Sequence, residues 1–369
     1  MEPVIDQQEK PKSKESPARK THRRNTLKNW LKALAKKAVA IFTHGLWWMQ
    51  YLKLRCGFNA LRDIKVLSIE FSSVCNLRCK YCFIEQNDRA RFLDVLIYEK
   101  LIKEVAEDRR YRIQTIEWPS SGEFFVYPHF KQIVEITKKY IDANPHFRPH
   151  IILNDNLTLF NEKRVELILN SGIVKQVICS VDGHDAKSFE DMRPLAKFDK
   201  VLANFRRLVQ RNRELGHPVW IQINNGRDEQ SENQPLSDEL REIFRSGDDV
   251  TFWQPKFWND SFNKKTKQFF PEKGFCSFVF NDVGLSASGF IGKCGMDLKG
   301  ATVYADLAKE SLANIWHSQV RQQFLTLMFQ NRRSAIPGCE NCSIAYTNND
   351  NRFNNIFRKI KRRFFRPIV

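Results

Sequence analysis

Cys75, Cys79 and Cys82 lie within Glu70-Phe-Ser-Ser-Val-Cys-Asn-Leu-Arg-Cys-Lys-Tyr-Cys-Phe83, and no other stretch of the chain says as much about chemistry. Three thiolates at offsets of four and three residues can hold three corners of a cubane [4Fe–4S] cluster and leave one iron without a protein ligand. A cluster that only relays electrons or pins the fold is held by four thiolates, so an open iron suits a site where a substrate must bind. Two other readings of the same residues stand beside this one. A zinc ion wants four closed ligands, and no His or further Cys lies nearby, although a distant one could complete the set. With nine cysteines in 369 residues, chance proximity is the third reading.

This arrangement resembles the signature of the radical S-adenosylmethionine (radical SAM) family. The resemblance implies that the open iron chelates the amino and carboxylate groups of SAM. It also implies reductive cleavage of SAM to a 5′-deoxyadenosyl radical, which takes hydrogen from an unactivated C–H bond. In the family an aromatic residue beside the last cysteine packs near the adenine, which points to Tyr81 and Phe83. Ordinary core packing is the plainer account of both.

The elements that must position this loop follow an alternating pattern. Short β-rich runs fall near Val66–Ser72, Ile113–Trp118, His150–Asn154, Val177–Val181, Val219–Asn224 and Val250–Trp253. Helical periods fall between them at Phe92–Glu107, Phe130–Ala143, Glu162–Asn170, Lys197–Glu214 and Ser237–Arg245. Gly172, Gly216 and Gly247 follow the last three, where a glycine stop is favoured. Alternating strands and helices mark βα units and a parallel sheet, an α/β class. Six strands fit the partial (βα)6 TIM-like barrel that the resemblance implies. Functional groups gather at the C-terminal ends of such strands. The expected organisation is a basic N-terminal arm over 1–60, the barrel over 61–258, a small C-terminal iron–sulfur (SPASM/twitch-like) domain over 259–350 and a basic tail over 351–369.

Each further motif follows one of these strands. Ser120-Ser-Gly-Glu-Phe124 resembles the family's Gly-Gly-Glu-Pro segment at Gly122 and Glu123 and departs from it at Ser121 and Phe124. Backbone carbonyls there would bind the SAM amino group. Asn154-Asp-Asn156 reads mainly as a tight turn, because Asn and Asp tolerate left-handed backbone. Cys179-Ser-Val-Asp-Gly183 with Arg193 downstream resembles a segment of SPASM-type relatives in which the serine and an arginine hold the SAM ribose or carboxylate. That assigns Ser180 and Arg193, while a solvated surface arginine is the alternative for the latter. Cys56 and Cys179 sit in apolar contexts and read as inert core thiols.

Cys276, Cys294, Cys339 and Cys342 form a second set. A β-hairpin-like stretch, Phe278–Phe280 then Leu285–Ile291, lies between the first two, and a helical segment Ser311–Phe329 precedes Cys339-Glu-Asn-Cys342. Four thiolates suit a closed zinc site or a fully ligated [4Fe–4S] cluster. Following a radical SAM-like core, the set resembles the truncated SPASM, or twitch, extension with one auxiliary cluster. Asp282 and Asp297 lie nearby, and turn chemistry accounts for both, so no general base is named. Phe252, Trp253, Phe257 and Trp258 suit a pocket or domain-junction packing.

Charge is gathered at the two ends. Residues 1–55 carry 13 Lys and Arg against 4 acids, and 352–369 carry 7 Lys and Arg with no acid. Amphipathic periods at Leu27–Phe42 and Phe353–Phe364 could lie on an anionic membrane surface, dock on the protein itself or, least favoured, contact RNA. An odd cysteine number, no secretory signal and no apolar run of the ~20 residues a span needs point to the reducing cytosol, with peripheral contact at the inner face of the membrane.

The expected activity is therefore SAM-dependent oxidation or other modification of a C–H position, foremost in a carbohydrate or lipid-linked sugar. An auxiliary cluster would take up or return an electron, and a low-potential donor such as flavodoxin or ferredoxin would supply the first. Peptide maturation is the alternative within this chemistry. A non-catalytic, metal-stabilised RNA- or membrane-binding protein is the alternative outside it.

Overall fold

Alternation of side chains along each strand separates a largely apolar, buried face from a more polar one. Leu67 and Ile69, Ile116 and Trp118, Ile151 and Leu153, and Ile221 and Ile223 are buried to 1% exposure or less. Ser68, Glu117, Asn154, Ser180 and Asn224 point to the opposite face. The apolar face has to be covered by helices, and the polar face is left for chemistry.

A computed structural model describes residues 60–82, 91–119, 121–226, 234–245, 250–253, 276, 278–295, 297, 302–330 and 332–339. Its strands are β1 Val66–Ile69, β2 Thr115–Trp118, β3 His150–Asp155, β4 Val174–Ser180, β5 Trp220–Asn224 and β6 Val250–Trp253, followed by β7 Asp282–Leu285, β8 Phe290–Gly292 and β9 Ala305–Asp306. They form one nine-stranded sheet in the order β6-β5-β4-β3-β2-β1-β7-β8-β9. β1 to β6 pair in parallel with each sequence neighbour, an open six-stranded part of a TIM barrel. β7 adds in parallel to the free edge of β1, and β8 and β9 turn back antiparallel.

The helices are α1 Val95–Glu107, α2 Phe130–Ala143, α3 Glu162–Asn170, α4 Ala186–Met192, α5 Phe198–Glu214 and α6 Asp238–Arg245, then α7 Phe278–Asn281, α8 Leu312–Trp316 and α9 Gln319–Phe329. Capping explains several starts. Asp94 accepts from Leu96 N at 2.8 Å, Asn161 from Arg164 N at 3.2 Å, and Asp185 forms a capping box with Ser188. Gly172 and Gly216 take positive φ at the ends of α3 and α5, as their positions lead one to expect; Gly247 lies outside the described residues.

Three expectations need correction. Phe278–Phe280 is not a strand but the start of a helical turn, and Asp282 begins the strand proper. The segment Ser311–Phe329 is two helices, because Ser318 caps a new N-terminus through Arg321 N directly after Trp316 and His317 close the first. The left-handed residue of the turn after β3 is not Asn or Asp but Leu157, at φ 63°. Its N–H is held by Asp155 Oδ1 at 2.5 Å and its carbonyl by Asn204 Nδ2 at 2.6 Å, which together fix the conformation. Helix α4 carried no sequence expectation; it is short and opens three residues after Gly183. Among the described residues no helix is long and apolar enough to cross a membrane. Both basic ends, with Cys56, Phe257 and Trp258, and the side chains of Phe252 and Trp253 lie outside the described residues.

Candidate active site

The loop bearing Cys75, Cys79 and Cys82 leaves the C-terminal end of β1 and is tied to its surroundings mostly by backbone. Arg78 N donates to Pro194 O at 3.3 Å and Lys80 N to Met192 O at 3.0 Å, fastening the loop to the end of α4. Cys82 N donates to Cys79 O at 3.0 Å. Leu77 N donates to Cys75 Sγ at 3.4 Å.

Gly122 shows why its motif needs glycine. Its φ is +74°, and a Cβ there would lie 2.1 Å from Ser72 O and 3.1 Å from Val74 O. The segment after β2 therefore packs on the backbone that enters the cysteine loop. Ser121 Oγ reinforces the contact by donating to Glu70, whose other oxygen accepts from Ala287 N at 2.8 Å. Burial holds the Glu70 carboxyl above its ordinary range.

Glu123 is buried and accepts from Asn156 N at 3.2 Å and Phe125 N at 3.5 Å. Its carboxyl lies against that of Asp155. Asp155 Oδ2 is buried and finds no hydrogen-bond donor, which fits a proton shared between two carboxyl groups that cannot both ionise. Burial raises both, and for Asp155 the neighbouring Glu123 charge adds to it.

Arg193 is not a solvated surface residue. It is 7% exposed, its Nε donates to Asp182 Oδ2 at 2.6 Å, and its Nη2 donates to the Tyr81 hydroxyl. Tyr81 in turn donates to the same Asp182 oxygen, and its ring lies 5.7 Å from the guanidinium carbon. Asp182 Oδ1 accepts from Gly226 N at 2.7 Å. Ser180 ends β4 opposite Asn224 and is half-buried, two residues before this carboxylate. Phe83 lies outside the described residues.

The donor set fits an iron–sulfur cluster. Burial, then the charge of Glu123, pushes the Cys75 thiol up to about 12, and its neighbours Cys79 and Cys82 add to the shift, so the three sulfurs share one environment. Burial also raises Cys79, against the opposing Arg193 charge. Such thiols keep their protons until a metal displaces them. Among the described residues no three His, Cys, Asp or Glu side chains converge on a single-ion site.

The second set falls on the C-terminal elements of the chain. Cys276 precedes α7, Cys294 follows β8, and Cys339 follows a 3-10 turn at Arg333–Ala335; Cys342 lies outside the described residues. Gly284 of β7 packs on the Cys294 carbonyl, 2.6 Å from where its Cβ would stand. Asp282 is a buried strand residue rather than a turn former: Gly295 N donates to its Oδ2 at 3.2 Å and Ser68 Oγ to its Oδ1 at 3.2 Å. Ser68 Oγ also lies 3.2 Å from Glu117 Oε2. Asp297 pairs with the buried Lys293 at 3.1 Å and accepts from Thr302 N at 2.9 Å. Cys179 is a fully buried core thiol in β4.

The sequence gives Asp182 no role of its own, and it gives Asp155 and Asn156 only that of turn formers. Asp182 stood inside a quoted motif. A buried arginine eleven residues away needs a carboxylate, and that was the available signal.

Residues 69–232 match the family model described as the Radical SAM superfamily, and residues 276–343 match that of an iron–sulfur cluster-binding domain, SPASM. No curated protein matches the chain. Among solved structures, native anSMEcpe with bound AdoMet is 14% identical, with a TM-score of 0.55 over 80% of this chain and 100% of that one. BtrN in complex with AdoMet and 2-DOIA is 16% identical, with a TM-score of 0.51 over 76% of this chain and 93% of that one. Streptococcus suis SuiB bound to S-adenosylmethionine is 13% identical, with a TM-score of 0.51 over 76% and 72%. At these identities the likeness carries the fold, a partial TIM barrel with a C-terminal extension. The cofactors follow from the family: a [4Fe–4S] cluster with SAM, and auxiliary iron–sulfur in the SPASM domain. The chain belongs to the radical SAM superfamily and carries a C-terminal SPASM domain.

Proposed function

We propose that this enzyme oxidises a C–H position of a carbohydrate, free or lipid-linked, with Cys75, Cys79 and Cys82 holding the SAM-binding cluster and Cys276, Cys294, Cys339 and Cys342 holding a single auxiliary [4Fe–4S] cluster. When bound, cluster and SAM together supply a 5′-deoxyadenosyl radical that abstracts hydrogen. The protein's part is to bind, orient and shield. Gly122 and Glu123 offer backbone carbonyls to the SAM amino group, and Ser180 offers its hydroxyl to the ribose. Tyr81 and, by the family resemblance, Phe83 would serve the adenine of bound SAM. Arg193 acts through Tyr81 and Asp182, because its charge is already committed to them.

The observation that supports a hydroxyl-rich substrate is the polar face of the partial barrel. Asn154, Ser180, Gln222 and Asn224 present amides and a hydroxyl there, partly open to solvent, with Glu117 at the far side. Amide and carboxylate groups pair well with sugar hydroxyls. The electron that starts the reaction would come from a low-potential protein such as flavodoxin or ferredoxin. The auxiliary cluster would accept one from the substrate radical, within the range that such clusters span. The cationic ends, 13 and 7 basic residues, would hold the enzyme against the inner face of a membrane, each contributing ~1 kcal/mol near an anionic leaflet.

The test is anaerobic turnover with carbohydrates deuterated at defined carbons. Deuterium appearing in 5′-deoxyadenosine with a saccharide supports the reading. Label transfer only from a peptide would replace it with peptide maturation.

A further inference from the structure

We propose that Asn156 is a positioning residue for the metal centre: its side-chain amide donates an N–H···S hydrogen bond to Cys75 and thereby raises the reduction potential of the cluster. This rests on the reading of Cys75, Cys79 and Cys82 as iron ligands.

Asn156 follows β3 and is 5% exposed. Its Nδ2 lies 3.7 Å from Cys75 Sγ and 3.0 Å from Asn76 Oδ1, so its two N–H groups have two acceptors. The opposite face of the amide is an acceptor only. Oδ1 receives Thr158 N at 2.9 Å and the Thr158 hydroxyl at 2.5 Å. Thr158 Oγ1 then accepts from Asn76 Nδ2 at 2.7 Å, which closes a ring of three side chains. Each donor in this ring meets one acceptor. Turning the Asn156 amide over would set its NH2 against the Thr158 N–H and its oxygen against Asn76 Oδ1, so the orientation toward sulfur is fixed by its partners. The backbone is held as well, since Asn156 N donates to the buried Glu123. A rigid, desolvated donor at a ligand sulfur is the arrangement by which residues outside the ligand set tune a metal.

The sign follows from charge. One-electron reduction adds negative charge to the cluster and its thiolates, and an N–H dipole aimed at a ligand sulfur stabilises the reduced form more than the oxidised one. Hydrogen bonds to sulfur are among the terms that set cluster potentials. Cys75 already receives Leu77 N at 3.4 Å from within its own loop, so Asn156 adds a second donor from the turn after β3.

Two variants test this in the full-length protein reconstituted without oxygen. Asn156→Asp keeps the shape and the oxygen that serves Thr158 but replaces the NH2 with an acceptor; Asn156→Ala removes the amide. EPR-monitored redox titration without SAM should show the midpoint of the Cys75 cluster lowered in both. The larger shift is expected in Asn156→Asp, about a tenfold change in reduced-to-oxidised ratio, or ~59 mV for one electron. The auxiliary signal should not move. Wild-type midpoints in variants of full iron content would overturn the proposal. So would loss of that iron in both variants, which would make Asn156 structural only. A wild-type protein with no cluster at the three cysteines would defeat the ligand reading itself, a result that does not involve the variants.

Discussion

Arg193 and Asp182 form an ion pair at 2.6 Å with their side chains 8% and 3% exposed, and Tyr81 hydrogen-bonds to both. The pair joins the loop after β4 to the end of α4, and Tyr81 carries the link into the cysteine loop. Asp182 also receives Gly226 N from the end of β5. One carboxylate thus registers three segments, the end of α4, the cysteine loop and the chain just past β5.

Removing one partner of such a pair strands a buried charge. Asp182→Asn should cost about 3–5 kcal/mol in denaturant unfolding. The double variant Asp182→Asn with Arg193→Met should recover part of that loss, because no charge is left uncompensated. Equal loss in the single and double variants would show that the pair does not act as a unit.

Two glycines with nearly the same backbone make a controlled comparison. Gly122 and Gly172 have φ of +74° and +72°, but only Gly122 has backbone oxygens where a Cβ would go. Gly172→Ala should cost about 1–2 kcal/mol of left-handed strain and leave the iron content unchanged. Gly122→Ala should displace the entry to the cysteine loop and lose the iron of the SAM-binding cluster. Iron assays and thermal unfolding read both.

Asp282 gives a pH dependence with a defined sign. Burial and the Glu117 charge push its carboxyl up to about 8, whereas an unfolded aspartate titrates at about 3.9. Between those values the native protein holds a proton that the unfolded chain has released, so this residue's contribution to stability declines as pH rises and levels off above the native value. Asp282→Asn removes the titration. Its melting temperature should gain on wild type between about pH 5 and about pH 8, and parallel curves would contradict the assignment.

The auxiliary set can be separated from the first. Cys339→Ser should lower bound iron from about eight to about four per chain, leave the EPR signal of the Cys75 cluster and SAM cleavage in place, and abolish net substrate oxidation. Loss of zinc instead of iron would reassign the site.

Sequence pattern located the six barrel strands and five of their helices, because burial on one strand face and a 3.6-residue helical period are local properties. The cysteine loop was legible because its chemistry is carried by spacing. Arg193 was legible as a residue but not in its role, since its partner Asp182 comes close only through the turn at Gly183 and the short helix that follows. Asn156 read as a turn former; its use as a donor toward Cys75 depends on β1 and β3 ends separated by about eighty residues of chain, a distance that no local pattern encodes. Asp282 was misread for the same reason, because β7 joins β1 only in the folded sheet.

The most direct test of the account is the EPR spectrum of the anaerobically reduced protein, with the auxiliary cysteines substituted, recorded with and without SAM. A cluster with one iron free of protein ligands should change its spectrum when SAM is added and release 5′-deoxyadenosine and methionine. An unchanged spectrum with no cleavage would mean that Cys75, Cys79 and Cys82 leave no site for the cofactor.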